Sequence, residues 1–367
     1  MAKKKKRKLN KNFKIVLVLI LIVVAIFAYN PVTSKIKIRL KGYSRHSVTM
    51  IYNKNLTKEV TERDYNIFID KMIESDDFNI DYLDKYYEVT YKEKDGLLKE
   101  INSLIDKEYS ISQINLIEEK ANDYLLNYLI DNKVSDIDKY FEVDIFKQDR
   151  IERYLNNVKD SYENTVLFVN MDRDKKSFED EAANVIKDYS VNMLVNGHNR
   201  LEQNYTPELV RLDKCSVEEH YLTKEAKEAY DKLCDAITSD GLKLSVNSSY
   251  RSYSDQEEVY EYYLRENGQE YVNKYVAVPG YSEHQTGLAL DVMSLVGSPF
   301  KSTREYLWMK ENSYKYGFIL RYQEGKEDIM GYNSESWHYR YVGEEIAKEI
   351  YEKDLTYDEY YALYLDK

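Results

Sequence analysis

Residues 282–294 read SEHQTGLALDVMS and residues 335–343 read ESWHYRYVG; these two stretches decide the fold. In the first, His284 precedes Asp291 by seven positions, and the intervening alternation predicts a strand. Leu288, Leu290 and Val292 would face one way. Gly287, Ala289 and Asp291 would face the other, so a carboxylate projects from a face of very small residues that a metal or substrate can approach closely. The second stretch starts at Glu335 and runs on from His338 through Tyr339, Arg340, Tyr341 and Val342 in alternation. Two imidazoles, one ligating carboxylate and one spare carboxylate are the inventory of a catalytic zinc site, which takes three protein ligands and leaves a position for water. Glu335, three residues from His338, is placed to move protons, and Trp337 to wall off bulk water. His46, His198 and His220 lack such neighbours and are read as surface or structural residues. His220, flanked by Glu218 and Glu219, is the substitute ligand.

Working outward, the later half alternates strand and helix signals. Thr223 is a candidate cap for a helix closed by Gly241, and Leu242, Leu244 and Val246 alternate as a strand. Ser254 to Glu257 has the capping-box pattern of a helix ending near Gly268, which leaves Arg251 in a strand-to-helix loop. Further helices are expected over 303–316, stopped by Gly317, and over 344–353. Residues 31–190 are charged, rich in Tyr and nearly free of Gly and Pro, with apolar residues at three-to-four spacing, and read as several short helices. Asp84 to Val89 (DKYYEV) recurs as Asp138 to Val143 (DKYFEV), and Lys41-Gly42-Tyr43-Ser44 is echoed by Lys107-Glu108-Tyr109-Ser110. The unequal offsets indicate a degenerate repeat with an insertion rather than a fixed period.

Composition sets the outer limits. The 367 residues carry 53 basic and 65 acidic side chains, a net charge of -12. Eight of the basic residues lie in the first fourteen positions, so the rest of the chain is strongly acidic and nucleic acid is excluded as a partner. The uncharged run from Ile15 to Tyr29 follows, and residues 13–30 are read as a transmembrane signal-anchor with residues 1–12 as a cytoplasmic tail. The chain would then be a single-pass cell-membrane protein with its body outside the cytoplasm, or a secreted one after signal cleavage. Cys215 and Cys234 would be free to pair in that compartment, or Cys234 could be a core residue on the helix face of Tyr230 and Ile237.

SSYRSYSDQ, PGYSEHQTGLALDV, KYGFILRYQEGKEDIMGY and ESWHYRYVG, in this order, resemble the VanY-type D-alanyl-D-alanine carboxypeptidases, zinc peptidases of family M15. The resemblance implies an α+β fold, hedgehog/D-Ala-D-Ala peptidase-like, whose small antiparallel sheet carries the zinc. That domain would occupy residues 191–357, preceded by the all-helical region 31–190 and the transmembrane helix and followed by a tail, 358–367. It implies a Zn2+ cofactor on His284, Asp291 and His338, Glu335 as general base, and Arg251 as a catalytic and substrate contact. Ser282, Gln256 and Trp337 would line the substrate pocket. The implied activity is removal of the terminal D-Ala from peptidoglycan stem peptides. L,D-carboxypeptidase or endopeptidase activity, or a non-catalytic wall-binding module, are the alternatives. Two positions depart from the family pattern, Ser249 where Gly is common and Ser336 where Pro is common.

Overall fold

Period-two apolar runs form the sheet of the later half in the computed structural model, which describes residues 11–179 and 183–366. Its strands are Leu244–Ser248 (β1), Ala289–Ser294 (β2), Phe318–Tyr322 (β3) and Glu335–Tyr341 (β4), all antiparallel in the order β1-β2-β4-β3. The helices around it are Lys224–Ser239 (α1), Tyr253–Asn267 (α2), Gln269–Tyr275 (α3), Arg304–Asn312 (α4), Glu344–Lys353 (α5) and Tyr357–Tyr360 (α6). Leu244, Val246, Leu288, Leu290, Val292 and Phe318 are buried in one cluster with Ala226, Tyr230, Leu233 and Ile237 of α1 and Met309 of α4. The Leu288-Leu290-Val292 face is therefore the core face. Asp291 is left on the side that builds the site.

Local chemistry sets the element ends. The serine-x-x-acid pattern occurs twice, at 252–255 and 254–257, and the first occurrence is the cap: Ser252 Oγ accepts from the Asp255 N–H, and Asp255 accepts from the Ser252 N–H. Helix α2 therefore starts two residues earlier than the sequence suggested. Gly317 (φ +80°) ends the turn after α4, and a Cβ there would lie 2.7 Å from the Tyr341 ring and 3.0 Å from the Gly343 backbone. Only glycine fits. Cys215 and Cys234 form a disulfide, Cα atoms 6.0 Å apart, that ties the segment before α1 to the helix, and the Tyr230 hydroxyl donates to the Cys215 carbonyl at 3.1 Å.

Contacts divide the chain into two units, residues 1–142 and 143–367. After the long helix Lys11–Leu40 the first is built of short helices, and its sequence echoes are structural equivalents. Tyr43 Oη accepts from the Asn66 N–H at 3.2 Å, and Tyr109 Oη from the Val134 N–H at 2.8 Å. Ser44 and Ser110 each cap the helix that follows, and Gly42 and Glu108 both have positive φ. Lys41 and Lys107 each donate to a carbonyl beyond it, Arg63 and Asp131. Tyr86 and Tyr140, in the other echo, are both buried.

The N-terminal transmembrane helix expected over 13–30 is corrected: among the described residues no helix is long and apolar enough to cross a membrane. Lys11–Leu40 is one helix. Its apolar run, Ile15 to Tyr29, is fifteen residues and rises roughly 22 Å at helical pitch, short of a hydrocarbon layer of about 30 Å. The same helix continues into Lys35, Lys37 and Arg39, and Ile38 is buried. The membrane-anchored function, the membrane partner and the single-pass location rested on that span and lose its support. The expected basic tail lies, over residues 1–10, outside the described residues.

Candidate active site

Antiparallel register places Asp291 of β2 directly opposite His338 of β4. Asp291 Oδ1 is 3.0 Å from His338 Nδ1, and Oδ2 is 3.4 Å from His284 Nε2. His284 comes from the short turn Glu283–Thr286, closed by Gly287 at φ +67°. The left-handed backbone at Gly287 favours glycine in the turn that aims His284, and a Cβ there would also sit tightly, 3.1 Å from Leu209 and 3.2 Å from Pro207 and Thr223. One ligand atom from each of His284, Asp291 and His338 lies within 4.8 Å of the other two.

The outer side of each ring is already committed. His284 Nδ1 donates to the Ser249 carbonyl at 2.6 Å, and His338 Nε2 faces Glu283 Oε2 at 3.2 Å. These partners leave the inner nitrogens, His284 Nε2 and His338 Nδ1, beside Asp291 as the ones that can turn a lone pair to a metal ion. Two buried imidazole nitrogens, each ring braced from behind, and one half-buried carboxylate between them fit a zinc ion.

Glu335 joins them through an irregularity in the sheet. Residues i and i+3 of a regular strand point to opposite faces. Between the pairs Leu320↔Tyr339 and Tyr322↔Glu335 the register shifts, two residues on β3 against four on β4. Glu335 Oε2 is thereby 3.9 Å from His338 Nδ1. Burial pushes the Glu335 carboxyl up to about 7, with His338 pulling the other way. Asp291 is driven the opposite way: burial resists its charge, but His284 and His338 outweigh it and hold the carboxyl well below the usual range.

Arg251 follows β1 in the loop, its backbone N–H on the His284 carbonyl at 3.2 Å. Its guanidinium donates to Gln256 Oε1 at 2.6 Å and Ser248 Oγ at 3.0 Å, and burial lowers its pKa. Gln256 is itself buried, with Nε2 donating to the Ala277 carbonyl at 2.7 Å. Both ends of that amide are occupied, so it steers Arg251. Ser282 Oγ is likewise occupied, accepting from the His284 N–H at 3.3 Å. Trp337 is 40% exposed at the rim. All these residues line one cleft of about 280 Å³.

Sequence reasoning missed several others. Tyr263, Tyr271 and Tyr275 form one wall of the cleft, and the Tyr322 ring lies tilted against the His338 ring, centroids 5.0 Å apart. The buried Tyr332 hydroxyl, without a hydrogen-bond partner among the described residues, also lines it. Glu283, behind His338, is gripped by Arg321 at 2.8 Å and Arg340 at 3.3 Å; burial resists its charge, and the two guanidiniums overcome that and hold it ionised. Glu283 adjoins His284 and Arg340 lies two residues beyond His338, a signal in plain sight. Of the remaining histidines, His220 is buried and engages Ser249 Oγ through Nδ1 at 3.2 Å. The serine that departs from the family pattern thus has a function in packing, since it also accepts from the Tyr221 N–H at 3.0 Å.

The family model VanY, D-alanyl-D-alanine carboxypeptidase, matches residues 219–344. The bifunctional D-Ala-D-Ala dipeptidase and D-Ala-D-Ala carboxypeptidase VanXYC of Enterococcus gallinarum is 34% identical over 177 residues, covering 46% of this chain and 92% of VanXYC. The chain belongs to the VanY family. Among other relatives of this VanY-family chain, YodJ of Bacillus subtilis (strain 168) is 41% identical over 179 residues, 46% of this chain. The chain spans 66% of YodJ, just under two thirds. The solved structure of the LdcB LD-carboxypeptidase is 38% identical and covers 52% of this chain and 98% of LdcB, with a TM-score of 0.46. The VanY-family match includes every residue of the constellation just described, from Arg251 to His338.

Proposed function

We propose that the chain is a zinc D-alanyl-D-alanine carboxypeptidase that removes the terminal D-Ala from peptidoglycan stem peptides outside the cytoplasm. The observation that carries this reading is the convergence of His284, Asp291, His338, Glu335 and Arg251 on one cleft. His284, Asp291 and His338 would hold the zinc, which supplies Lewis-acid polarisation of the scissile carbonyl and acidifies water. Glu335 accepts a proton from the attacking water on its carboxylate and gives it to the leaving amine. A carboxyl raised towards neutrality exchanges protons in both directions near physiological pH. Arg251, held in place by Gln256 and Ser248, offers its remaining guanidinium donors to the substrate's terminal carboxylate or to negative charge developing on the carbonyl oxygen. Trp337 and the tyrosine wall shield the reacting atoms. The Cys215–Cys234 disulfide supports an extracytoplasmic setting, where such bonds persist and where wall peptides are found.

Digestion of purified stem peptides, read as product masses, tests the substrate. Loss of one D-Ala from the pentapeptide is expected. Loss only from the tetrapeptide would replace this reading with L,D-carboxypeptidase activity, and cleavage only of cross-linked dimers with endopeptidase activity.

A further inference from the structure

Behind the metal-ligand set lies a chain of buried ionic side chains. Glu283 has a fully buried side chain, and Oε2 takes the His338 Nε2–H at 3.2 Å. Its other oxygen, Oε1, takes Arg321 Nε at 2.8 Å and Arg340 Nη1 at 3.3 Å. Both guanidiniums thus meet Glu283 at one oxygen, which leaves the second for the histidine. Arg321, also fully buried, reaches on through Nη1 to Asp358 Oδ2 at 2.7 Å, and Asp358 Oδ1 accepts from Asn196 Nδ2 at 2.7 Å. Arg340, two residues from His338 along β4, donates through Nη2 to the carbonyls of Met193 at 2.9 Å and Val191 at 3.0 Å. Burying four charges carries a heavy desolvation cost, and hydrophobic side chains of the same volume would pack as stably. Stability alone therefore does not account for the arrangement.

We infer that Glu283 is the positioning residue for His338, with Asp358 of α6 as its far anchor, so that the grip on the metal depends on the C-terminal helix. A carboxylate on the outer nitrogen of a ligating histidine fixes the ring's orientation and tautomer and raises its basicity as a ligand. Here the outer nitrogen is Nε2, so the bond keeps Nδ1 aimed at the ligand position beside Asp291. Arg321 and Arg340 hold Glu283 in its rotamer, and Asp358 and the two backbone carbonyls hold the arginines. This inference rests on the reading of His284, Asp291 and His338 as zinc ligands.

Zinc dissociation constants of the full chain, measured by competition with a chromogenic chelator, test it, together with the visible absorption of the cobalt-substituted protein. Glu283→Gln weakens zinc binding about 10- to 100-fold, the range for removing such an outer partner. Because that variant leaves an excess buried guanidinium, which destabilises the folded chain, Glu283→Gln/Arg340→Met is measured beside it, removing one charge of each sign. The double variant shows the same loss, with shifted cobalt bands, whereas Arg340→Met alone, which keeps Glu283 and Arg321, loses less. Asp358→Asn falls between wild type and Glu283→Gln. Excess zinc restores turnover in the Glu283 variants with KM unchanged, since Arg251 and Gln256 are untouched. A folded double variant that holds zinc as tightly as wild type, with unshifted cobalt bands, overturns the proposal. A wild-type chain that binds no zinc overturns the reading of the ligands themselves.

Discussion

Arg321→Met is the perturbation whose cost the structure defines most closely. The guanidinium is wholly buried and pairs with Glu283 at 2.8 Å and Asp358 at 2.7 Å. Removing one partner of a buried pair typically costs about 3–5 kcal/mol, because the remaining charge is left uncompensated. Here Glu283 keeps Arg340 and His338, and Asp358 keeps the Asn196 amide, so the expected loss sits at the lower end, about 3 kcal/mol. For a unit the size of residues 143–367 each kcal/mol moves Tm by about 2–4 °C, giving a fall of about 6–12 °C. Thermal melts in excess zinc, followed by near-UV circular dichroism, read it directly. Arg321→Met/Asp358→Leu recovers a substantial part of the loss, because the orphaned carboxylate is replaced by apolar volume. An Arg321→Met Tm within about 2 °C of wild type, less than the shift for 1 kcal/mol, would refute the claim that this ion pair is desolvated and structural.

Glu335→Gln lowers kcat by about 10²- to 10⁴-fold, the usual scale for losing a general base, while zinc stoichiometry by metal analysis stays at wild type; unchanged wall-peptide processing with zinc still bound would instead favour a wall-binding module. The same variant has a pH signature in the metal-free protein. Burial raises the folded-state Glu335 pKa to about 7, so its favourable contribution is complete below the unfolded value and is lost as pH rises through about 7. Melts in chelator should therefore show Glu335→Gln gaining on wild type between pH 5 and pH 8, and a constant difference would contradict the raised pKa. Breaking the 19-residue Cys215–Cys234 loop with Cys215→Ser/Cys234→Ser costs about 3 kcal/mol by loop entropy, measured by urea unfolding.

The strands that carry the ligands were legible because period-two alternation survives in them: Leu288, Leu290 and Val292 went to the core and Asp291 to the opposite side. Helix α5, 344–353, was legible from spacing and from Gly343 before it. What the sequence hid was tertiary. His338 and Glu335 share a side only because β3 and β4 slip register, and no one-dimensional pattern announces a slip. Arg321 and Asp358 lie 37 positions apart, and their pairing becomes visible only once β3 and α6 meet. Gln256 and Ser282 fell in the expected cleft, yet their polar atoms are committed to Arg251 and to the His284 backbone. The N-terminal run misled because a short apolar stretch was read as just long enough to span. Fifteen apolar residues, Ile15 to Tyr29, lie in a helix that runs on into Lys35, Lys37 and Arg39 with Ile38 buried, and no helix among the described residues is long and apolar enough to cross a membrane.

Release of D-alanine from a stem pentapeptide, followed in parallel for zinc-reconstituted and chelator-stripped protein, tests the central claim most directly. The account expects one D-alanine per pentapeptide with zinc bound, none after stripping, and recovery when stoichiometric zinc is returned. Equal release by the stripped protein, or none by the reconstituted protein, would contradict it.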